Sequence, residues 1–77
     1  MIDVHYFAGL KELTGHEKER VDCSGQTVEQ LKALLVDKYP GIEGRSIQVA
    51  VNEEYALPGD VLAAGDVVAL IPPVSGG

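Results

Sequence analysis

Hydrophobic and polar residues alternate at the start of the chain, in IDVHYF at residues 2–7. Alternation with a period of two is typical of a strand that buries one face. The pattern predicts one face with Ile2, Val4 and Tyr6 and an opposite face with Asp3, His5 and Phe7. The chain therefore opens on a half-buried strand.

Two short segments follow this strand. AGLKEL at residues 8–13 predicts a helical turn closed by Thr14 and Gly15, and EKERVDCSG at residues 17–25 predicts a second strand. Charged residues crowd the second strand from Glu17 to Asp22. We expect it at a sheet edge, because charge there discourages pairing with another chain.

The strongest helical pattern is TVEQLKALLVDKYPG at residues 27–41. Thr27 and Gln30 have the spacing of a capping box at its start, and Pro40 with Gly41 predicts its end. Apolar residues recur at helical spacing and are predicted to form one stripe: Val28, Leu31, Leu34, Leu35 and Tyr39.

The second half of the chain predicts further strands. After a loop at residues 42–45, SIQVAVN alternates again and is predicted to bury Ile47, Val49 and Val51. NEEYALPGD carries at most a short strand, and a last strand is expected over residues 67–71 after the Gly65–Asp66 turn.

This order of elements predicts an α+β fold, the β-grasp or ubiquitin-like roll. In it, a mixed sheet of four to five strands carries one main helix on one face. Residues 1–71 are expected to form this domain, and residues 72–77 a flexible C-terminal Gly-Gly tail. Phe7, beside His5, falls on the face that the helix leaves uncovered. Although a single exposed aromatic residue is common, this face is a candidate partner surface.

Charge narrows the possible partners. The 77 residues include 6 basic and 12 acidic side chains, for a formal net charge of −6. Nucleic-acid binding needs clustered Lys and Arg, so nucleic acid and anionic membranes are disfavoured. The acidic surface suits a basic patch on another protein, or serves only to keep the domain soluble. Because no signal peptide or membrane-spanning stretch is evident, we expect a cytoplasmic location.

Residues suited to catalysis or metal binding are few. His5 and His16 lack the spacing of a metal motif, and the single Cys23 has acidic Asp22 beside it, which disfavours a reactive thiolate. We expect structural roles for these side chains, no bound cofactor, and no catalysis by this chain on its own.

The last residues, IPPVSGG, suggest a different activity. Pro72 and Pro73 favour a stiff, extended chain, while Gly76 and Gly77 can enter a channel too narrow for any side chain. The carboxylate of Gly77 becomes reactive once another enzyme adenylates it. The alternative is an unstructured terminus that happens to end in Gly-Gly.

Four stretches carry a family resemblance: IDVHYFAGLKELTG, TVEQLKALL, VAVNEEYA and GDVVALIPPVSGG. Over essentially its whole length the chain resembles the small subunit of molybdopterin synthase, the MoaD family of sulfur carriers. The thiamine sulfur carrier ThiS and ubiquitin-like modifiers also end in Gly-Gly. Pro-Pro-Val directly before that end is most similar to MoaD.

The resemblance implies a reaction cycle. A MoeB-like enzyme uses ATP to adenylate Gly77, and a sulfurtransferase converts the adenylate to a thiocarboxylate. The tail then enters a MoaE-like large subunit and donates its sulfur to cyclic pyranopterin monophosphate. The implied complex is a heterotetramer, and ATP serves the activating enzyme only.

The resemblance also implies roles for single residues. Gly77 carries the sulfur and Gly76 is its required companion. The channel contacts are Pro72, Pro73, Val74 and Ser75, and the partner surface holds Phe7, Leu57 and Ile71. Ile71 stands where relatives often have an aromatic residue. The alternatives are a carrier for thiamine or tRNA thiolation and a ubiquitin-like interaction module with an inert tail.

Overall fold

The computed structural model describes residues 1–43 and 47–72. Its strands are β1 (Ile2–Tyr6), β2 (Lys18–Val21), β3 (Gln48–Val51), β4 (Glu54–Tyr55) and β5 (Val67–Ile71). Its helices are α1 (Gly9–Thr14) and α2 (Val28–Lys38), and a 3₁₀ turn spans Pro40–Ile42. The predicted order of elements is confirmed, including the short fourth strand.

The five strands form one mixed sheet in the order β2-β1-β5-β3-β4. The two central strands, β1 and β5, run parallel, and the other neighbours are antiparallel. β2 lies at one edge, as its dense charge predicted. This topology, with α2 on one face, is the predicted β-grasp roll.

The core lies between α2 and one face of the sheet. β1 alternates between buried and half-buried residues, with Ile2 and Val4 fully buried and Tyr6 only 1% exposed. The predicted division of this strand into two faces is therefore confirmed. The core cluster comprises Ile2, Val4, Tyr6, Leu10, Cys23, Val28, Leu31, Leu35, Ile42, Val49, Leu62, Val68 and Leu70.

The start of α2 has the predicted capping box. The Thr27 hydroxyl accepts a hydrogen bond from the Gln30 N–H at 3.1 Å, and the Thr27 N–H donates to Gln30 Oε1 at 2.8 Å. The predicted apolar stripe was wrong at Leu34, which is 37% exposed. Leu34 lies about 100° around the helix from Leu35 and so falls at the margin of the buried face.

The segments predicted as loops contribute more to the core than expected. The 3₁₀ turn directs Ile42 into the core, although sequence placed it in a loop, and Leu62 is buried from a turn-rich stretch. Val49 of β3 is buried as predicted, whereas Val51 of β3 and Ile47, which directly precedes this strand, are only partly buried against the core. The remaining positions of the predicted 42–45 loop, 44 and 45, lie outside the described residues.

A polar cluster centred on Glu19 joins β1, β2 and the end of α2. Its carboxylate accepts hydrogen bonds from the Tyr6 hydroxyl at 2.7 Å and the Tyr39 hydroxyl at 3.1 Å, and it pairs with Lys38. Burial on its own raises the pKa of Glu19, but the hydrogen bonds from Lys38, Tyr6 and Tyr39 outweigh burial and lower it. Burial, together with Glu19, raises the pKa of Tyr6 well above its usual range. The charged residue thus serves the fold, because it holds the edge strand against the helix.

Candidate functional site

Among residues 1–43 and 47–72, no helix covers the face of the sheet opposite α2. Because Val68 and Leu70 of β5 are buried in the core, strand alternation places Val67, Ala69 and Ile71 on this uncovered face. Its centre carries the small side chains of Ala69 and Ala50, which lie opposite each other, and Ala69 lies opposite His5 of β1 on its other side.

A concavity of about 480 Å³ opens on the uncovered face. Phe7 forms part of its wall directly after the end of β1 and is 43% exposed. The sequence identified Phe7 and its neighbour His5 as a candidate surface, but it did not single out the other wall residues. The wall comprises His5, Phe7, Asn52, Glu53, Val67 and Ala69.

The predicted contact residues Phe7 and Ile71 leave the sheet at the same end. Tyr6 lies opposite Leu70 in the parallel ladder between β1 and β5. Because parallel strands run in the same direction, the next residue of each strand follows at the same edge. Pro72, which is half-buried, comes directly after Ile71, so the root of the tail lies at the end of the sheet where Phe7 lies.

Leu57 lies away from the concavity, in the loop after β4, and is 70% exposed. A tight turn holds it, in which its N–H donates to Asp60 Oδ2 at 2.9 Å and its carbonyl accepts from the Asp60 N–H at 3.0 Å. Tyr55, 77% exposed, is a surface residue that the sequence analysis missed. Tyr55 lies in the edge strand β4 opposite Ala50, where it lines a groove beside Val28 and Lys32 of α2, and recognising it required the register of this short strand.

Acidic residues outnumber basic ones in the last third of the sequence. The sequence contains no Lys or Arg after Arg45, whereas Glu53, Glu54, Asp60 and Asp66 all follow that residue. Hydrogen bonds from the Ala63 N–H and the Asn52 amide lower the pKa of Asp66. Of these carboxylates, Glu53 lines the concavity, whereas the basic residues Lys18 and Arg20 lie on the same face in β2, opposite His5 and Asp3.

The candidate reactive side chains do not form a catalytic group. Cys23 is 1% exposed, and burial, with Asp22 adding its negative charge, raises the pKa of its thiol. His16 is exposed, and its backbone N–H donates to the Thr14 hydroxyl at 3.2 Å. Within residues 1–43 and 47–72, no group of three or more His, Cys, Asp or Glu side chains could hold a metal ion. The same ranges contain no helix of the length and hydropathy needed to cross a membrane.

The remaining predicted tail residues, Pro73, Val74, Ser75, Gly76 and Gly77, lie outside the described residues. Their roles, like those of Phe7, Leu57, Ile71 and Pro72, stay predictions. The structure gives the position from which the tail starts, at the end of β5.

Comparison with known proteins gives a family match over residues 4–77, to the ThiS family. Small archaeal modifier protein 1 of Haloferax volcanii is 42% identical over 82 aligned residues, which cover 92% of this chain and 94% of that protein. The molybdopterin synthase sulfur carrier subunit of Chlamydomonas reinhardtii is 36% identical over 81 aligned residues, which cover 99% of this chain and 98% of that protein.

Solved structures have the same fold. A putative molybdopterin converting factor, subunit 1, from Pyrococcus furiosus superposes with a TM-score of 0.88 at 26% identity, covering 95% of this chain and 97% of that one. A chain from the complex of subunits 1 and 2 of the molybdopterin-converting factor of Helicobacter pylori superposes with a TM-score of 0.71. This second match covers 99% of this chain and 97% of that one. Because the two are only 24% identical, it establishes likeness of fold alone.

Proposed function

Because this chain belongs to the ThiS family and matches a sulfur carrier subunit of molybdopterin synthase over nearly its whole length, we propose that Gly77 carries the sulfur. The resemblance to the MoaD family is confirmed, and the chain is a ubiquitin-like sulfur carrier of the molybdopterin synthase type.

The proposed cycle starts at the carboxylate of Gly77. An activating enzyme transfers AMP from ATP to this carboxylate and releases pyrophosphate, which turns a poor electrophile into an acyl adenylate. Sulfur delivered at the sulfide level through a sulfurtransferase attacks the carbonyl carbon, displaces AMP and leaves a thiocarboxylate. The loaded tail enters the large subunit, where cyclic pyranopterin monophosphate takes up the sulfur and water hydrolyses the acyl group, which restores the Gly77 carboxylate. Glycine at positions 76 and 77 keeps the carbonyl accessible in a narrow channel.

The shared end of β1 and β5 is the observation that carries this proposal. The pairing of Tyr6 with Leu70 places Phe7 and the root of the tail at one edge. A large subunit that docks on the uncovered face therefore receives the tail from the adjacent edge. The five residues after Pro72 can extend at most about 17 Å at roughly 3.3 Å each, enough to enter a neighbouring active site.

The partners in this proposal are three proteins. The large subunit binds the uncovered face and supplies the groups that act on the pterin. The adenylating enzyme and the sulfurtransferase act earlier, on the free carrier. A complex of subunits 1 and 2 exists for the Helicobacter pylori protein that has this fold, which supports docking of this kind.

A reconstituted reaction tests the proposal. It contains this chain, ATP, the adenylating enzyme, the sulfurtransferase with its sulfur source, the large subunit and cyclic pyranopterin monophosphate. Deletion of Gly77, or Gly76→Val, abolishes pterin sulfuration while the circular dichroism spectrum is retained. Gly59→Val is the matched control, since nothing lies within 4 Å of a Cβ built at Gly59. Full pterin sulfuration by either tail variant would overturn the proposal.

Protein modification is the second candidate function, and the 42% identity to a small archaeal modifier protein favours it. The first step is the same adenylation, but a lysine amine of another protein then displaces AMP and forms an isopeptide bond. Mass spectrometry of tryptic digests from its own cells distinguishes the two functions. Lysines bearing a C-terminal remnant of this chain support modification, whereas a thiocarboxylate without such lysines supports sulfur transfer. Carriers for thiamine or tRNA thiolation use the same first steps and differ in the acceptor.

A further inference from the structure

The turn between β3 and β4 holds a residue in an unfavourable conformation. Val51 pairs with Glu54, so the loop consists of Asn52 and Glu53 alone, with φ of 51° and 70°. Two consecutive positive φ values are typical of a type I′ turn, in which Asn followed by Gly is strongly preferred. Glu53 occupies the position that favours glycine.

The two turn residues differ in what their side chains contact. Asn52 tolerates the left-handed conformation well, and its amide joins the turn to β5. Its Nδ2 donates to Asp66 Oδ1 at 3.0 Å, and its Oδ1 accepts from the Val67 N–H at 3.0 Å. The carboxylate of Glu53 forms no hydrogen bond or ion pair with any residue in 1–43 or 47–72. Contacts within the described fold therefore explain the presence of Asn52 in this turn, but they do not explain the presence of Glu53.

Unfavourable backbone conformations gather at the concavity of the uncovered face. Asn52 and Glu53 line it, and Ala8, with φ of 53°, directly follows the wall residue Phe7. These are the non-glycine residues with positive φ in the ranges that the structure describes. Such conformations cost free energy and concentrate at sites where function requires them. A glutamate in this position is thus a candidate for recognition.

The surroundings of Glu53 indicate the chemistry of its partner. Phe7, Val67 and Ala69 give the concavity an apolar wall, and Glu53 adds a carboxylate to it. The cations of the same face, Lys18 and Arg20, lie across β1 from the concavity, and Arg20 pairs with Asp3. A long cationic side chain matches both features, because its aliphatic part packs on apolar surface while its charged end pairs with a carboxylate. Phe7 adds an aromatic ring on which a cation can stack.

We propose that Glu53 is a recognition residue that pairs with an arginine or lysine of the large molybdopterin synthase subunit, docked on the uncovered face. The inference rests on the proposed function, since it takes the large subunit as the partner. An ion pair exposed to solvent contributes little, but docking excludes water from this concavity and strengthens the pair. The glutamate thus contributes to binding at a cost to the turn that carries it.

Calorimetric titration with the large subunit from the same organism tests this role. Glu53→Gln keeps the side-chain shape and removes the charge, so we expect binding to weaken about tenfold and to depend less on salt. Glu54→Gln is the matched control. It removes the same charge one residue away, but pairing with the partly buried Val51 places Glu54 on the helix side of the sheet. We expect its affinity to stay within about twofold of the unmodified chain.

Glu53→Gly separates recognition from structure. Glycine suits the second position of a type I′ turn, so the melting temperature is expected to rise while binding weakens as in Glu53→Gln. Equal affinities of Glu53→Gln and Glu54→Gln would overturn the inference, and so would a fall in melting temperature for Glu53→Gly. If Phe7→Ala weakens binding and Glu53→Gln does not, the docking face stands and only the role of Glu53 fails. Failure of the unmodified chain to bind the large subunit would overturn the proposed function as well.

Discussion

Tyr6 and Leu70 lie opposite each other in the parallel ladder at the centre of the sheet, and both are buried in the core. This pair fixes the relation between the uncovered face and the tail. The residue after Tyr6 is Phe7, and the residues after Leu70 are Ile71 and Pro72. A partner bound at Phe7 is therefore held at the edge from which the tail starts.

Replacement of Phe7 by Ala is expected to weaken the complex with the large subunit by about 1–3 kcal/mol, the range for an aromatic residue at an interface. Phe7 is 43% exposed in the free chain, so the change removes little from the core. Leu34→Ala is the control, because Leu34 is similarly exposed, at 37%, but lies on α2. If isothermal calorimetry gives an unchanged affinity for Phe7→Ala, then Phe7 is not part of the binding surface.

The Glu19 cluster predicts a pH dependence of stability. Glu19→Gln is expected to lower the free energy of unfolding at neutral pH by about 1–2 kcal/mol, because a charged acceptor is lost from bonds with Tyr6 and Tyr39. The pKa of Glu19 is lowered in the folded chain. Glu19 therefore contributes its full stabilisation at pH values above its ordinary pKa of 4.5. This stabilisation is lost as the pH falls from 4.5 through the pKa of Glu19 in the folded chain.

Urea unfolding at a series of pH values checks this sign. The difference in stability between the unmodified chain and Glu19→Gln is expected to shrink as the pH falls below 4.5. Glu17→Gln is the control, since the side chain of Glu17 is 83% exposed. A difference that grows in acid, or that is the same for both variants, contradicts the account of the cluster.

Cys23 is expected to react slowly with a thiol reagent in the folded chain. It is buried, and burial raises the pKa of its thiol, so both access and thiolate formation are limited. Absorbance with Ellman's reagent, in buffer and in guanidinium chloride, measures the effect. Rapid labelling in buffer at the rate of the unfolded chain would show that Cys23 is accessible after all.

The capping box of α2 is expected to contribute to stability. Thr27→Ala removes the hydroxyl that accepts from the Gln30 N–H, at a cost of about 1 kcal/mol in the free energy of unfolding. Ser24→Ala, at an exposed site just before the helix, is expected to change it by less than about 0.5 kcal/mol. Equal effects of the two substitutions in urea unfolding would argue against the cap.

The sequence predicted the parts of the fold that depend on local pattern. Alternation in β1 and the Thr27–Gln30 spacing depend on neighbouring residues, and both predictions are confirmed. The burial of Ile42 and Leu62 depends on how turns fold back onto the sheet, which no local period encodes. The prediction that Leu34 belongs to the buried stripe was wrong for a related reason. Leu34 lies at the margin of the stripe, so the packing of neighbouring elements decides whether it is buried.

The candidate site divides in the same way. Alternation alone placed Phe7 on the uncovered face. The concavity around Phe7 could not be predicted in this way, because it depends on the pairing of β1 with β5, two strands at opposite ends of the sequence. The unfavourable conformation of Glu53 follows from a two-residue turn whose register the sequence did not reveal. The roles of Gly76 and Gly77 were predicted from the sequence and its family resemblance, and they await chemical measurement.

The intact mass of the protein purified from its own cells, beside a Gly77-deleted control, shows whether Gly77 carries sulfur. The account predicts a species in which sulfur replaces one terminal oxygen, present in the full chain and absent from the control. A plain carboxylate that persists after incubation with ATP, the activating enzyme and a sulfur donor would contradict it.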